Sequence, residues 1–92
     1  MPTLHMDVEV CRGTQQKIIQ QQGQMVQVLG QVTNSVNSTV GSAWIGQSAT
    51  EFQAQYEQLR GSLTTQLETL NQLANRLAQE IAQWEAAASK MG

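Results

Sequence analysis

The sequence predicts an all-α fold: an antiparallel two-helix hairpin that dimerises into a four-helix bundle. Two long segments place apolar residues at spacings of three, four or seven, which is helical rather than strand periodicity. A glycine-containing break at residues 41–47 separates the segments, and a short turn leaves two helices antiparallel. Two helices shield only part of the apolar surface, so a second hairpin is the natural cover.

The first predicted helix covers residues 7–40. Asp7 is suited to the N-cap position, and Glu9 lies in the first turn, where a carboxylate interacts favourably with the helix dipole. The alternation of apolar and polar residues from Thr3 to Cys11 is also typical of a strand, but it is too short to form a sheet alone. Residues 1–6 are therefore predicted to be an extended tail. The periodic apolar positions are Cys11, Ile18, Met25, Leu29, Val32, Val36 and Val40.

The predicted turn covers residues 41–47. Gly41 suits the position after a helix C-cap, and Gly46 permits a positive φ. Ser48-Ala-Thr-Glu51 then matches a capping box, which indicates the start of a new helix.

The second predicted helix covers residues 48–88, and a tail at 89–92 completes a single domain over 1–92. Its apolar positions project onto one stripe about 120° wide at 100° per residue. These positions are Phe52, Tyr56, Leu59, Leu63, Leu67, Leu70, Leu73, Leu77, Ile81 and Trp84.

Composition and charge disfavour several classes of protein. The net charge is -2 with five scattered basic residues, so nucleic acid is not an expected partner. Sixteen glutamines are interleaved with regular aliphatics, which predicts solvated helix faces rather than a low-complexity tract. Cys11 is the single thiol, so no disulfide forms within the chain. Residues 1–10 have no leader-like apolar run, and no stretch could span a bilayer, which predicts a nonclassical route if the protein is exported.

No catalytic, cofactor or metal site is predicted. The one histidine, His5, lies in the predicted tail, and no nucleophile, base and orienting group assemble from the spacing. His5, Asp7, Glu9 and Cys11 would share a face only on a strand, so a metal site there is disfavoured. The glutamates are spread along the second helix, which argues against a catalytic carboxylate pair. The chain is therefore predicted not to be an enzyme.

The tripeptide Trp44-Ile45-Gly46 lies where the two helices divide, and small residues followed by Phe52 open the second helix. Together with the chain length and the flanking periodicities, this arrangement resembles the WXG family of about 100 residues, also called ESAT-6-like proteins. The short lead-in Leu4-His5-Met6-Asp7 is similar to that of the family as well.

The resemblance implies a small secreted protein of a bacterial type VII (ESX-type) system that travels folded as a homodimer or heterodimer with another WXG protein. It also implies engagement of the system's membrane ATPase. In the family, the turn lies near the carboxy-terminal end of the partner's helix, and together they form a composite export signal. Trp44 and Gly46 are the matching residues here.

The sequence departs from the family in the second part of that signal, a Tyr-x-x-x-Asp/Glu after the second helix. Tyr56 lies too early and is followed at that spacing by Arg60. Two incomplete candidates remain: Ile81-x-x-x-Glu85, which has an acid but no aromatic, and Trp84-x-x-x-Ala88, which has an aromatic but no acid. The missing element could lie on a partner chain.

Each singled-out residue also has a structural interpretation. Trp44 could anchor a recognition surface or close the end of the bundle, and these are compatible. Gly46 is better explained by turn geometry, and Trp84 by core or dimer packing. The hairpin or dimer core is predicted to contain Ile18, Met25, Leu29, Val32, Val36, Phe52, Tyr56, Leu59, Leu63, Leu70, Leu77 and Ile81.

The leading functional hypothesis is a secretion substrate or secretion partner, present in the cytoplasm before export and outside the cell after it. The alternative is an intracellular helical adaptor or scaffold that is not exported, which the incomplete carboxy-terminal motif favours. A membrane-active amphipathic helix is a third possibility, but the few basic residues argue against strong binding to anionic lipid.

Overall fold

The computed structural model describes residues 5–91 as two long helices folded back on each other. Helix α1 spans Val8–Thr39 and helix α2 spans Gln47–Met91. They pack side by side into a rod of 69 × 23 × 17 Å with a radius of gyration of 20.6 Å. A compact chain of this length would have a radius of gyration of about 12 Å. The predicted helical hairpin is confirmed, and the extended shape explains why so little of it is enclosed.

The start of α1 follows from its capping residue. The Asp7 side chain accepts a hydrogen bond from the Val10 N–H at 3.2 Å, and the Asp7 carbonyl accepts the first helical bond from Cys11 at 2.9 Å. Asp7 is thus the N-cap, as predicted, and it satisfies an amide that the helix itself leaves without a partner. Because residues 8–11 are helical, the strand interpretation is wrong for that part of its range.

The helices meet along a seam whose members are spaced three, four or seven residues apart, as in a coiled coil. On α2 the seam contains one aromatic residue, one alanine and five large aliphatic residues, and all seam members on both helices are at least half-buried. We call this the hairpin seam. It contains Cys11, Gln15, Ile18, Gln22, Leu29, Thr33, Val36 and Val40 on the first side and Tyr56, Leu63, Leu67, Leu70, Ala74, Leu77 and Ile81 on the second.

Three seam positions on α1 are polar: Gln15, Gln22 and Thr33. The prediction that the glutamines lie on solvated helix faces is therefore wrong for Gln15 and Gln22. The Gln22 side-chain amide donates to the Leu67 carbonyl at 3.3 Å, and Gln15 lines a depression beside Ile81. The Thr33 hydroxyl donates to the Leu29 carbonyl at 2.8 Å and lies 2.6 Å from the Tyr56 hydroxyl. Since the one Thr33 proton is already used, Tyr56 is the donor in that second bond.

The structure differs from the predicted boundaries at α2. The helix begins at Gln47, one residue before the predicted start, and continues to Met91 rather than ending at residue 88. Residues 89–91 of the predicted tail are therefore helical. Residues 1–4 and 92 of the two predicted tails lie outside the described residues.

The hairpin encloses very little. Ala49, Ala74 and Ile81 are the hydrophobic residues that it buries fully within its described part, and no residue of α1 reaches that burial. Many large apolar side chains remain exposed on both helices. Two long helices touch along one line only, so the geometry itself leaves their flanks open.

Candidate recognition surface

The turn between the helices is closed by backbone hydrogen bonds. Helix α1 ends at Thr39, whose carbonyl accepts the Trp44 N–H at 2.9 Å. The Gly41 N–H in turn donates to the Trp44 carbonyl at 2.9 Å, so Val40 and Trp44 lie beside each other as an isolated β-bridge. This pair of bonds fixes the backbone of Trp44 relative to the end of α1, which positions its indole.

The turn requires glycine at two positions. Gly41 has φ +93° and Gly46 has φ +138°, and both values lie in the region that side chains with a Cβ rarely adopt. Gly41 directly follows the C-cap Val40, so the predicted role of Gly41 is confirmed. Gly46 reverses the chain immediately before α2, as its predicted positive φ required.

The first turn of α2 differs from the predicted capping box. Gly46 supplies the carbonyl that accepts the Thr50 N–H at 3.1 Å and the Thr50 hydroxyl at 3.3 Å. Ser48 consequently lies inside the first helical turn rather than at the N-cap, and the Glu51 carboxylate accepts a bond from the Gln47 side chain at 3.2 Å. The motif therefore predicted the helix start to within one residue but placed the cap two residues too late, because Gly46 rather than Ser48 supplies the first helical carbonyl.

Three large apolar side chains are exposed together at this end of the rod, and we call Trp44, Ile45 and Phe52 the turn patch. The Trp44 and Phe52 rings pack with centroids 5.3 Å apart at a tilt of 51°, a favourable aromatic geometry. Trp44 is nevertheless 39% exposed and Ile45 is 76% exposed. Phe52 covers part of the Trp44 ring, and the rest of the turn patch is accessible to a partner; both interpretations of Trp44 stay predictions.

Sequence reasoning missed Ile45, the central residue of the Trp-X-Gly tripeptide. It is the most exposed large apolar side chain among the described residues. Its position between Trp44 and Gly46 could have indicated its exposure, because a residue at the outer corner of a tight turn has no helix to pack against. The buried Ala49 was missed as well, since alanine carries little weight in a hydrophobic pattern.

The carboxy-terminal candidates have different environments. Ile81 is 5% exposed and belongs to the hairpin seam, whereas Trp84 is 37% exposed on α2. Glu85 forms an ion pair with Arg12 at 2.9 Å, and both side chains are about half exposed, so the pair contributes at most about 1 kcal/mol. Trp84 is therefore the candidate with a large accessible side chain.

The turn patch and the carboxy-terminal candidates lie at opposite ends of the rod. The Arg12–Glu85 ion pair places the latter beside the start of α1, while Trp44 follows the end of α1. One hairpin 69 Å long therefore cannot bring the two groups together. A composite surface containing both requires a second hairpin that runs in the opposite direction.

The predicted core residues fall into two sets. Those in the hairpin seam face the neighbouring helix: Ile18, Leu29, Val36, Tyr56, Leu63, Leu70, Leu77 and Ile81. The other four, Met25, Val32, Phe52 and Leu59, are each more than two-fifths exposed. The hairpin alone does not bury this second set, which leaves it available for contact with another chain.

No cluster of three or more His, Cys, Asp or Glu side chains occurs in the part of the chain that the structure describes. Glu9 and Cys11 now lie on a helix, so their alternate spacing no longer brings them to one side. Neither of the two described helices has a stretch long and apolar enough to cross a membrane.

The profile of the WXG100 family, described as proteins of 100 residues with WXG, matches residues 3–87. No curated protein and no solved structure matches the chain. The matched range contains both helices up to residue 87 and the complete Trp44-Ile45-Gly46 turn. The chain belongs to the WXG family.

Membership establishes the general class of protein. Members of this family are small helical secreted proteins rather than enzymes, and they typically pair with other WXG proteins. The family is one of ESAT-6-like type VII secretion substrates. The resemblance given by the sequence is thereby confirmed at the level of the family.

Proposed function

We propose that this chain is a small substrate or secretion partner of a bacterial type VII (ESX-like) system, recognised as a folded helical dimer. It is made in the cytoplasm and exported by that system. The observation that carries this proposal is the turn patch, an exposed apolar cluster around the Trp-X-Gly turn that defines the family. The role is recognition by other proteins, with no catalytic step.

The turn patch has the properties of a protein contact site. Trp44 offers a large ring held in place by Phe52 and by the backbone bonds of the turn, so little conformational freedom is lost on binding. Ile45 is exposed next to it in the turn. Residues 44–50 contain no charged side chain, and Glu51 is the first charged residue that follows them. Exposed aromatic anchors of this kind dominate the energetics of protein interfaces.

The second half of the recognition surface comes from a partner hairpin. Because the turn and Trp84 lie at opposite ends of one hairpin, an antiparallel partner would bring the carboxy-terminal end of its own second helix to this turn patch. The system's membrane ATPase is the proposed reader of the combined surface. Trp84 supplies an aromatic group near the end of the second helix, where the family has its tyrosine. The residue four positions later is Ala88 rather than the acid of the family motif.

A non-exported helical scaffold is the second candidate, and one observation favours it. Tyr56, the chain's one tyrosine, lies in the hairpin seam bonded to Thr33, and Arg60 stands at the position of the expected acid. The family's tyrosine motif is thus absent from its usual place. The same helical bundle would then remain inside the cell.

Export of the Trp44→Ala variant tests the proposal. In a host with an intact type VII system, we expect the amount in the culture medium to fall about tenfold or more, since an aromatic anchor contributes about 2 kcal/mol to recognition. Val26→Ala is the matched control, because Val26 is 48% exposed on α1 and lies away from the turn. Circular dichroism should show equal helicity for both variants.

Unchanged export of a folded Trp44→Ala protein would contradict recognition through the turn patch. Retention of the unmodified chain in the cytoplasm, while other substrates of the same system reach the medium, would support the scaffold instead.

A further inference from the structure

The middle residue of the Trp-X-Gly turn contributes little to the fold of the hairpin. Ile45 is 76% exposed, so it buries little surface against its own chain. Its φ is not positive, so its backbone conformation is open to other residue types. By contrast, Trp44 packs on the Phe52 ring, and Gly46 requires its positive φ. The fold therefore constrains the residues on either side of Ile45 and leaves position 45 free.

The description of the family makes the same division. Proteins of 100 residues with WXG are defined by the residues that match Trp44 and Gly46, and the residue between them is left open. A protein that reads this turn can therefore distinguish one member from another at the middle position without any difference in fold. In this chain the free position lies inside the turn patch, next to the exposed indole of Trp44.

The turn holds Ile45 in a fixed orientation. The Trp44 N–H donates to the Thr39 carbonyl at 2.9 Å, and the Gly46 carbonyl accepts the Thr50 N–H at 3.1 Å. Both chain neighbours of Ile45 are thus tied to a helix end, and its β-branched side chain has few rotamers. Little conformational freedom is lost when such a side chain enters a pocket.

The surroundings of Ile45 are uncharged. Residues 18–50 contain no charged side chain. The hydroxyls of Ser42 and Thr50 each donate to a backbone carbonyl four residues earlier, so their protons are already used within the chain. A partner at this end of the rod gains chiefly by covering apolar side chains, and a charged pocket would find no opposite charge there.

We propose that Ile45 determines which type VII ATPase recognises this chain, because its side chain enters an apolar pocket of that ATPase. The inference rests on the proposed function, in which the ATPase reads the turn patch. Trp44 supplies the anchor, and Ile45 supplies the selectivity. A pocket shaped for a β-branched aliphatic side chain binds a smaller one less well and rejects a charged one, which would be buried without a partner.

The position of Ile45 favours the ATPase over a partner hairpin as the protein that covers it. Hairpins 69 Å long that pair side by side cover each other's flanks. Ile45 lies instead at the outer corner of the turn, between the end of α1 at Thr39 and the start of α2 at Gln47. Its exposed side chain therefore stays accessible at the end of the rod.

Export of Ile45 variants from the native host tests the proposal. Ile45→Val removes one methylene and should lower the amount in the culture medium about fourfold. Ile45→Glu should lower it by at least about 100-fold, because the carboxylate would be buried in the pocket without a partner. Val26→Glu is the matched control with the same added charge, since Val26 is 48% exposed on α1 away from the turn. Its export should be unchanged.

Thermal unfolding separates recognition from a structural role. At one protein concentration, the unmodified chain, Ile45→Val and Ile45→Glu should have the same unfolding midpoint and the same helicity, because the replaced side chain is exposed. A residue needed for the fold would lower the helicity, the midpoint and the export together.

Selectivity is measured by binding the purified full chain to the soluble ATPase domains of two type VII systems, the native one and a second. Across Ile45→Val, Ile45→Leu and Ile45→Ala, we expect the ratio of the two dissociation constants to change by at least about tenfold. Trp44→Ala should weaken both complexes by similar factors, as expected of an anchor that does not select between them.

Three results would overturn the proposal: export of Ile45→Glu at the unmodified level, a constant ratio of dissociation constants across the Ile45 variants, or losses of export that follow losses of helicity. If Trp44→Ala reduces export and Ile45→Glu does not, this inference fails and the proposed function stands. If neither change reduces the export of a folded chain, both fail.

Discussion

At the scale of single residues, glycine has opposite effects at different places in this chain. Gly46 has φ +138° and precedes α2, where no other residue adopts the backbone without strain. Gly30 lies inside α1 with ordinary helical backbone, and a Cβ built there would have no neighbour within 4 Å. The first glycine is required by the turn, while the second only adds conformational freedom to the unfolded chain.

The variants Gly46→Ala and Gly30→Ala should therefore change stability in opposite directions. Gly46→Ala is expected to lower the free energy of unfolding by about 1–3 kcal/mol, through backbone strain. Gly30→Ala should raise it by about 0.5–1 kcal/mol, through helix propensity. Urea unfolding followed by circular dichroism at one protein concentration measures both, and a stabilised Gly46→Ala protein would show that the turn does not need its positive φ.

At the scale of the helices, Ala74 determines how closely α1 and α2 approach. Its side chain is fully enclosed at 0% exposure, and it occupies a seam position between Leu70 and Leu77. A small residue at such a position lets the backbones come together, and a larger one must push them apart or adopt a strained rotamer.

We expect Ala74→Leu to lower the free energy of unfolding by about 1–3 kcal/mol through overpacking. Ala54→Leu is the matched control, because Ala54 is exposed on the same helix and alanine and leucine have similar helix propensities. Its effect should stay within about 0.5 kcal/mol. Thermal unfolding of the two proteins side by side gives the comparison, and equal destabilisation would mean that the helices are not closely packed at residue 74.

At the scale of the whole molecule, the hairpin buries too little apolar surface to hold two long helices in place without further contacts. Among the residues that the structure describes, three buried hydrophobic residues contrast with exposed large side chains along both helices and at the turn. The entropy lost on ordering the chain is opposed mainly by apolar burial, so we infer that association with another chain supplies most of the stability.

Folding should accordingly be coupled to assembly. The midpoint of thermal unfolding is expected to rise with protein concentration, because dissociation accompanies unfolding. A dilution series followed by circular dichroism tests this. A midpoint independent of concentration would mean that one hairpin is stable alone.

The sequence by itself determined the helical hairpin, the N-cap at Asp7, the glycine positions of the turn and the family. These features follow from local chemistry: periodicity, capping and positive φ depend on residues close together in the chain. The tertiary structure decided which stripe residues form the hairpin seam and which remain exposed, and it placed Gln22 and Thr33 inside that seam. The apolar stripe about 120° wide contains residues that pack against the neighbouring helix and residues that stay exposed on a flank. Only the packing of α1 against α2 decides which residues belong to each group.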